Sequence, residues 1–216
     1  MPIKEEIMPV DNNSLISKSR KDLEGIWTPT VITFLVYLMI SSGAGIIPFG
    51  SLLVAGPLSV GLGFYSLQIA KGNEVKLENI FIGFNNFANA IGTYFLMIIF
   101  IFLWSLLLII PGIIAAISYS QVFFILAEDT EKELDPKVIL SMSKEMMKGH
   151  KMDYFILLIM FFGLGLLSLL TLGIALIWLI PFMQVTMANF YLKINGKKYS
   201  NELDEFLDDS LDLEDL

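Results

Sequence analysis

Between Tyr94 and Ile110 the chain carries thirteen Leu, Ile or Phe residues, and Ser105 is the lone strongly polar side chain among them. Such a run is apolar on every face, whereas a surface helix of a soluble domain needs only one apolar stripe. At about −0.3 to −0.6 kcal/mol each, those side chains favour insertion into a bilayer by roughly 4–8 kcal/mol. The rest of the chain follows the same plan. Setting aside every Lys, Arg, Asp and Glu leaves three uncharged blocks, Gly25–Ala70, Asn79–Ala127 and Tyr154–Leu192. Each is roughly twice the ~20 residues that one helix needs to cross a hydrocarbon core of about 30 Å. Each also has breakers near its middle: Ser41-Ser42-Gly43-Ala44-Gly45 with Pro48, then Pro111-Gly112, then Thr171-Leu172-Gly173. The pattern predicts an all-α polytopic membrane protein with six transmembrane helices in three hairpins, over about 28–47, 52–70, 91–110, 112–127, 154–171 and 174–192.

The polar intervals suggest a threefold internal repeat: an amphipathic lead-in, a first span, then a second span rich in Pro, Gly and aromatics. The lead-ins are Ser14–Ile26, Lys76–Ala90 and Asp135–Lys151. In the second, Leu77, Ile80, Phe81, Phe84 and Ala88 recur at helical spacing opposite Glu78, Asn79, Asn85, Asn86 and Asn89, as suits an interfacial helix. The third opens with Asp135-Pro136, a good N-cap followed by proline at the first helical position. The second spans share a proline followed by a tyrosine: Pro57 and Tyr65, Pro111 and Tyr119, Pro181 and Tyr191. Within this plan the chain divides into a cytoplasmic N-terminal segment (1–27), a six-helix membrane domain (28–194) and an acidic tail (195–216).

Charge orients the plan. All 14 basic residues fall before, between or after the three hairpins, and none lies at a hairpin tip. By the positive-inside rule both termini are expected in the cytoplasm. Of the 22 acids, eight sit in Asn201–Leu216 with no base, so that tail holds the whole net charge of −8. The first 25 residues mix both charge signs, unlike a signal peptide, so the first helix is expected to remain as an anchor. The chain has no cysteine, which excludes disulfides, thiolate catalysis and Cys-based metal sites.

Chemistry is sparse. No Asp, Glu, Lys, Arg or His falls in any predicted span, which disfavours coupling through buried carboxylates. Ser, Thr, Gln68, Gln121, Gln184 and Asn189 are expected to bond between helices. Ala55, Ser59 and Gly63, four apart, form a small-residue packing face. Pro57, Pro111, Gly112, Pro181, Tyr65 and Tyr119 are hinge or packing candidates, with Pro111-Gly112 expected to turn a hairpin and Pro181 to kink the sixth span. His150 is the single histidine; it is a weak candidate for a base or pH sensor, with no partner set around it in sequence. In the tail, Leu203, Phe206, Leu207 and Leu211 make an amphipathic stripe. The segment reads either as a solvated tail or as a helix that docks on a basic cytoplasmic protein. No catalytic residue, cofactor, metal site or nucleic-acid surface is expected.

Several motifs are familiar together: GPLSVG (56–61), IPGIIAAISYS (110–120), ILAED (125–129), SMSKEMMKGHKMDYF (141–155) and LLTLGIALIWLIPFMQVTMANFY (169–191). The chain resembles, over about residues 14–195, the bacterial membrane-protein family catalogued as domain of unknown function 975. The resemblance implies a multi-pass protein of the bacterial cytoplasmic membrane and transfers no catalytic residue. The expected function is a non-enzymatic scaffold, accessory or protective module that binds a hydrophobic ligand, membrane lipid or a protein partner from the cytoplasmic side. A transporter for a neutral or lipophilic molecule is the alternative.

Overall fold

The computed structural model describes residues 9–46, 49–128 and 134–212, without the side chains of Leu107 and of residues 197–212. All regular structure among them is helical: α1 (Asn12–Asp22), α2 (Trp27–Ala44), α3 (Gly50–Ala70), α4 (Phe87–Leu107), α5 (Ile109–Ser118), α6 (Val122–Glu128), α7 (Pro136–Met146), α8 (Lys151–Ser168) and α9 (Leu176–Asp212), with short 3-10 helices at Leu77–Phe84 and Leu169–Thr171. Five stretches are long and apolar enough to cross a membrane: Trp27–Ala44, Gly50–Ala70, Phe87–Leu106, Ile109–Glu128 and Lys151–Thr171. They mark a membrane protein and coincide with the first five predicted spans. The sixth predicted span, 174–192, is helical within α9 but is not among these five. Pro181, Gln184, Thr186 and Asn189 dilute its apolar character.

The helices sort into an inner and an outer set. α3 is at the centre, touching α9, α6, α4, α2 and the Leu77–Phe84 segment. Of the best apolar window in each crossing, 61% is buried in α3 and 56% in α5–α6, against 17% in α2, 17% in α4 and 22% in α8. α9 belongs inside too, with Pro181 and every residue from Val185 to Tyr191 buried. Each polar lead-in docks on an inner helix: α1 on α9, Leu77–Phe84 on α3, α7 on α6. The outer helices follow the same order, α2 touching α9, α4 touching α3, and α8 touching α5.

Close backbone approach holds the second lead-in and the start of α4 against α3. A Cβ on Gly61 would run into the backbone of Ile80, one on Gly83 into the Pro57 carbonyl, and one on Gly56 would lie 2.6 Å from the Ala90 carbonyl oxygen. Helices in lipid gain little from burying apolar surface, so such small-residue contacts supply the packing. Of the predicted Ala55, Ser59 and Gly63 face, Gly63 abuts the Phe123 carbonyl, and the tighter glycine contacts of α3 are at Gly56 and Gly61.

Three local expectations also need correction. The second lead-in begins as a 3-10 helix rather than an α-helix, which brings Ile80 and Gly83 against α3. Pro111 and Gly112 do not turn their hairpin. The turn is at extended Leu108 (φ −166°, ψ 151°), while Pro111 stands third in α5 and Gly112 lets α5 lie against Ser105 of α4. The fourth predicted span, 112–127, is not one continuous helix but breaks at Tyr119–Gln121, where there is no proline, whereas Pro57 and Pro181 lie within continuous helices.

Candidate functional site

Three polar junctions gather at the charged end of the bundle. In the first, α1 is clamped to α9: the Asn189 amide donates to Asp22 (2.7 Å) and Ser19 (3.0 Å), and Lys18 donates to Asn189, Asp22 and the Ala70 carbonyl at the end of α3. In the second, Glu128 accepts from Tyr191 (2.8 Å) and Asn195 (3.0 Å) and pairs with Lys71, tying together the ends of α6, α9 and α3. In the third, Ser143 of α7 repairs the Tyr119–Gln121 break. Its hydroxyl donates to the Ser118 carbonyl (2.8 Å) and accepts from the Gln121 N–H (3.2 Å). Backbone groups freed by a helix break must find such partners when buried.

Beside the first junction lies a groove of about 410 Å³ between α2, α8 and α9. This falls within the range of ordinary small-molecule sites, about 300–1,000 Å³. Leu164, Leu167 and Ser168 of α8 form one wall, Ala175 just before α9 and Trp178, Leu179 and Phe182 of α9 the floor, and Trp27 the edge of α2. Aromatic contacts set this shape: Phe182 lies 6.5 Å from Trp27 and 5.8 Å from Phe161, ring centre to ring centre. Along α9 about 16 Å separates Trp178 from Asn189, where α1 is docked. Arg20, next to Ser19 on α1, lines the groove as its sole charged residue. Its guanidinium has no hydrogen-bond or ion-pair partner among the described residues. The walls stay open to the surroundings, Leu167 being 60% and Trp178 50% exposed.

The residues singled out from the sequence are scattered relative to this groove. Tyr65 is buried edge-on to Phe34, with its hydroxyl 3.5 Å from that of Thr30. Tyr119 sits at the helix break, its ring 6.3 Å from Phe100. Pro57 and Gly112 are buried and Pro111 half-buried, all at helix contacts, and Pro181 is buried one residue from Phe182. His150 is not the isolated interfacial histidine expected. It is buried at the N-cap of α8, 3.4 Å from Asp153, whose carboxylate also accepts the Val10 N–H (2.9 Å) and whose carbonyl accepts from Asn12 (2.9 Å). The pair thus anchors the chain entering α1. Leu203, Phe206, Leu207 and Leu211 lie outside the residues whose side chains are described.

Sequence reasoning missed Arg20, Trp27, Trp178 and Ser143. The available signal was weak: Arg20 stands among other basic residues, and each tryptophan resembles an ordinary interfacial anchor. Among the described residues no group of three or more His, Cys, Asp or Glu is placed to hold a metal ion. Residues 106–198 match the model of the family described as "Protein of unknown function (DUF975)". IPGIIAAISYS and the three later motifs fall inside that stretch, and GPLSVG falls outside it. No curated protein and no solved structure matches the chain.

Proposed function

We propose, from the premise that this chain belongs to the DUF975 family of unknown function over residues 106–198, that it is a non-enzymatic module of the bacterial cytoplasmic membrane that holds a hydrophobic ligand in its lateral groove. α9 is the sixth crossing, and both ends and all three lead-ins face the cytoplasm, where the charged junctions offer a docking face to a protein partner. The groove carries this reading: a sizeable, mostly apolar concavity at the depth of membrane-crossing helices, with walls open to the lipid.

The threefold repeat belongs to the same reading, and its best support is a constant 124-residue offset. Asp11 and Asp135 both cap a lead-in helix, accepting from the N–H two residues on. At that same offset Leu15 and Ile139, Ser19 and Ser143, and Leu23 and Met147 are all buried. Gly25 and Gly149 end the two turns with positive φ, 84° and 79°. Each lead-in docks on the inner helix of the preceding unit, and α1 closes the circle on α9.

A transporter draws on a different observation, the buried and unpartnered Ser66 Oγ, Asn89 Nδ2 and Gln121 Oε1. Native mass spectrometry from mild detergent tests the first reading, comparing the full chain with one ending after Lys198. A hydrophobic molecule retained by both forms, and lost on filling the groove with Ala175→Phe, is expected. Protein alone in liposomes that moves a solute saturably, with no retained ligand, would replace the module by the transporter.

A further inference from the structure

Resting on that reading, we propose that the groove is an anionic-phospholipid site, holding one acyl chain along α9 with the lipid phosphate on Arg20. The two ends of the groove differ chemically. Its length is lined by Trp178, Leu167, Phe182 and Trp27, surfaces that favour a methylene chain over anything hydrogen-bonding. At the inner end stands the guanidinium of Arg20, without a hydrogen-bond or ion-pair partner among the described residues, whose planar fork suits two oxygens of a phosphate. Neighbouring acids do not neutralise it: Asp22 is already occupied by Lys18 and Asn189. The volume suits one extended chain rather than two, so the second chain of a diacyl lipid would lie outside, against the exposed Leu164 and Leu167. The distance of about 16 Å between Trp178 and the level of Asn189 is of the order of one leaflet's hydrocarbon depth, half of about 30 Å. Ser168 and Ala175 flank the hairpin tip, so a chain held along α9 from a phosphate at the level of α1 reaches past the bilayer midplane.

The chain supplies its own reporters, because two of its 3 tryptophans line the groove and Trp104 does not. The full chain carrying Trp104→Phe is placed in phosphatidylcholine bilayers doped with a brominated-chain lipid, either phosphatidylglycerol or phosphatidylcholine at equal mole fraction. Brominated phosphatidylglycerol is expected to quench Trp27 and Trp178 roughly two- to fivefold more effectively. Arg20→Gln should abolish the difference and Arg20→Lys should keep part of it, since a point charge replaces the fork. Ala175→Phe, which fills the floor, should lower quenching by both lipids. Inorganic phosphate at matched ionic strength should leave the preference intact. Equal quenching by the two lipids, a preference that survives Arg20→Gln, or displacement by free phosphate overturns the inference. Arg20 makes no hydrogen bond or ion pair among the described residues, so a folding defect is not expected to obscure the result. A neutral ligand retained in native mass spectrometry alongside equal quenching would leave the proposed function standing and remove this site.

Discussion

The inner helices, α3, α5–α6 and α9, and the outer helices, α2, α4 and α8, are made of different residues, and the contrast runs opposite to that of a soluble protein. The contrast is sharpest between two helices: α4, with its dense run of Leu, Ile and Phe, has 17% of its window buried, while α3, with Gly56, Pro57, Gly61 and Gly63, has 61%. Apolarity alone does not sort the set, since α5–α6 is as apolar as α4 and 56% buried. In water, burial rewards apolar area. In a bilayer the lipid solvates apolar side chains as well as the protein does, so what selects the interior is close approach and polar pairing. Gly61 against Ile80, Ser143 in the Tyr119–Gln121 break and Asn189 under α1 are the contacts by which the inner helices hold the lead-ins. The outer helices have no equivalent need: a Cβ on Gly163 or Gly165 of α8 would meet nothing within 4 Å.

The sharpest way to break this contrast is a matched pair of glycine substitutions. Gly61→Leu should cost about 3 kcal/mol or more, since it drives a side chain into the Ile80 backbone. Gly163→Leu on the outer α8 should change stability by less than ~0.5 kcal/mol. Thermal unfolding in detergent compares them, and similar losses would show that α8 packs on something beyond the contacts described.

Serines give the next contrast. Ser143→Ala leaves the Ser118 carbonyl and Gln121 N–H without their partner and should cost about 1–3 kcal/mol. Ser42→Ala on α2 removes only an exposed bond to its own helix turn and should be nearly neutral in the same measurement. Asn189→Ala is expected to lower global stability by about 1–2 kcal/mol. It should also loosen α1 locally, because Lys18, Ser19 and Asp22 lose their common partner on α9. Limited tryptic cleavage at Arg20 and Lys21 would then quicken relative to the parent chain. An unchanged rate would show that α1 is held by its apolar face alone.

The smallest effect on stability comes from testing sidedness, and the absence of cysteine makes it direct. Leu170→Cys, at an exposed hairpin tip, should react with a membrane-impermeant maleimide on intact cells. Lys148→Cys, at the charged end, should react only after permeabilisation. The reverse order would invert the proposed topology.

Five of the six predicted crossings were legible to within a few residues, because each depends on one stretch of chain and its transfer from water to hydrocarbon. The Asp135 cap of α7 was legible for the same reason, its bond to Lys137 being local. The groove was not. Arg20 and Trp178 are far apart in sequence and meet only because Asn189 brings α1 onto α9.

What the sequence determined by itself, then, is the placement of five apolar crossings and of the charged segments between them, both one-body properties of a segment in its solvent. Only the tertiary structure decided which helices lie inside, that the second lead-in tightens to a 3-10 turn, that α5–α6 breaks where Ser143 can bridge it, and that Arg20 lines an apolar groove. Each of these is set by the approach of two distant backbones, and a glycine or serine in sequence does not say which neighbour will use the space it leaves.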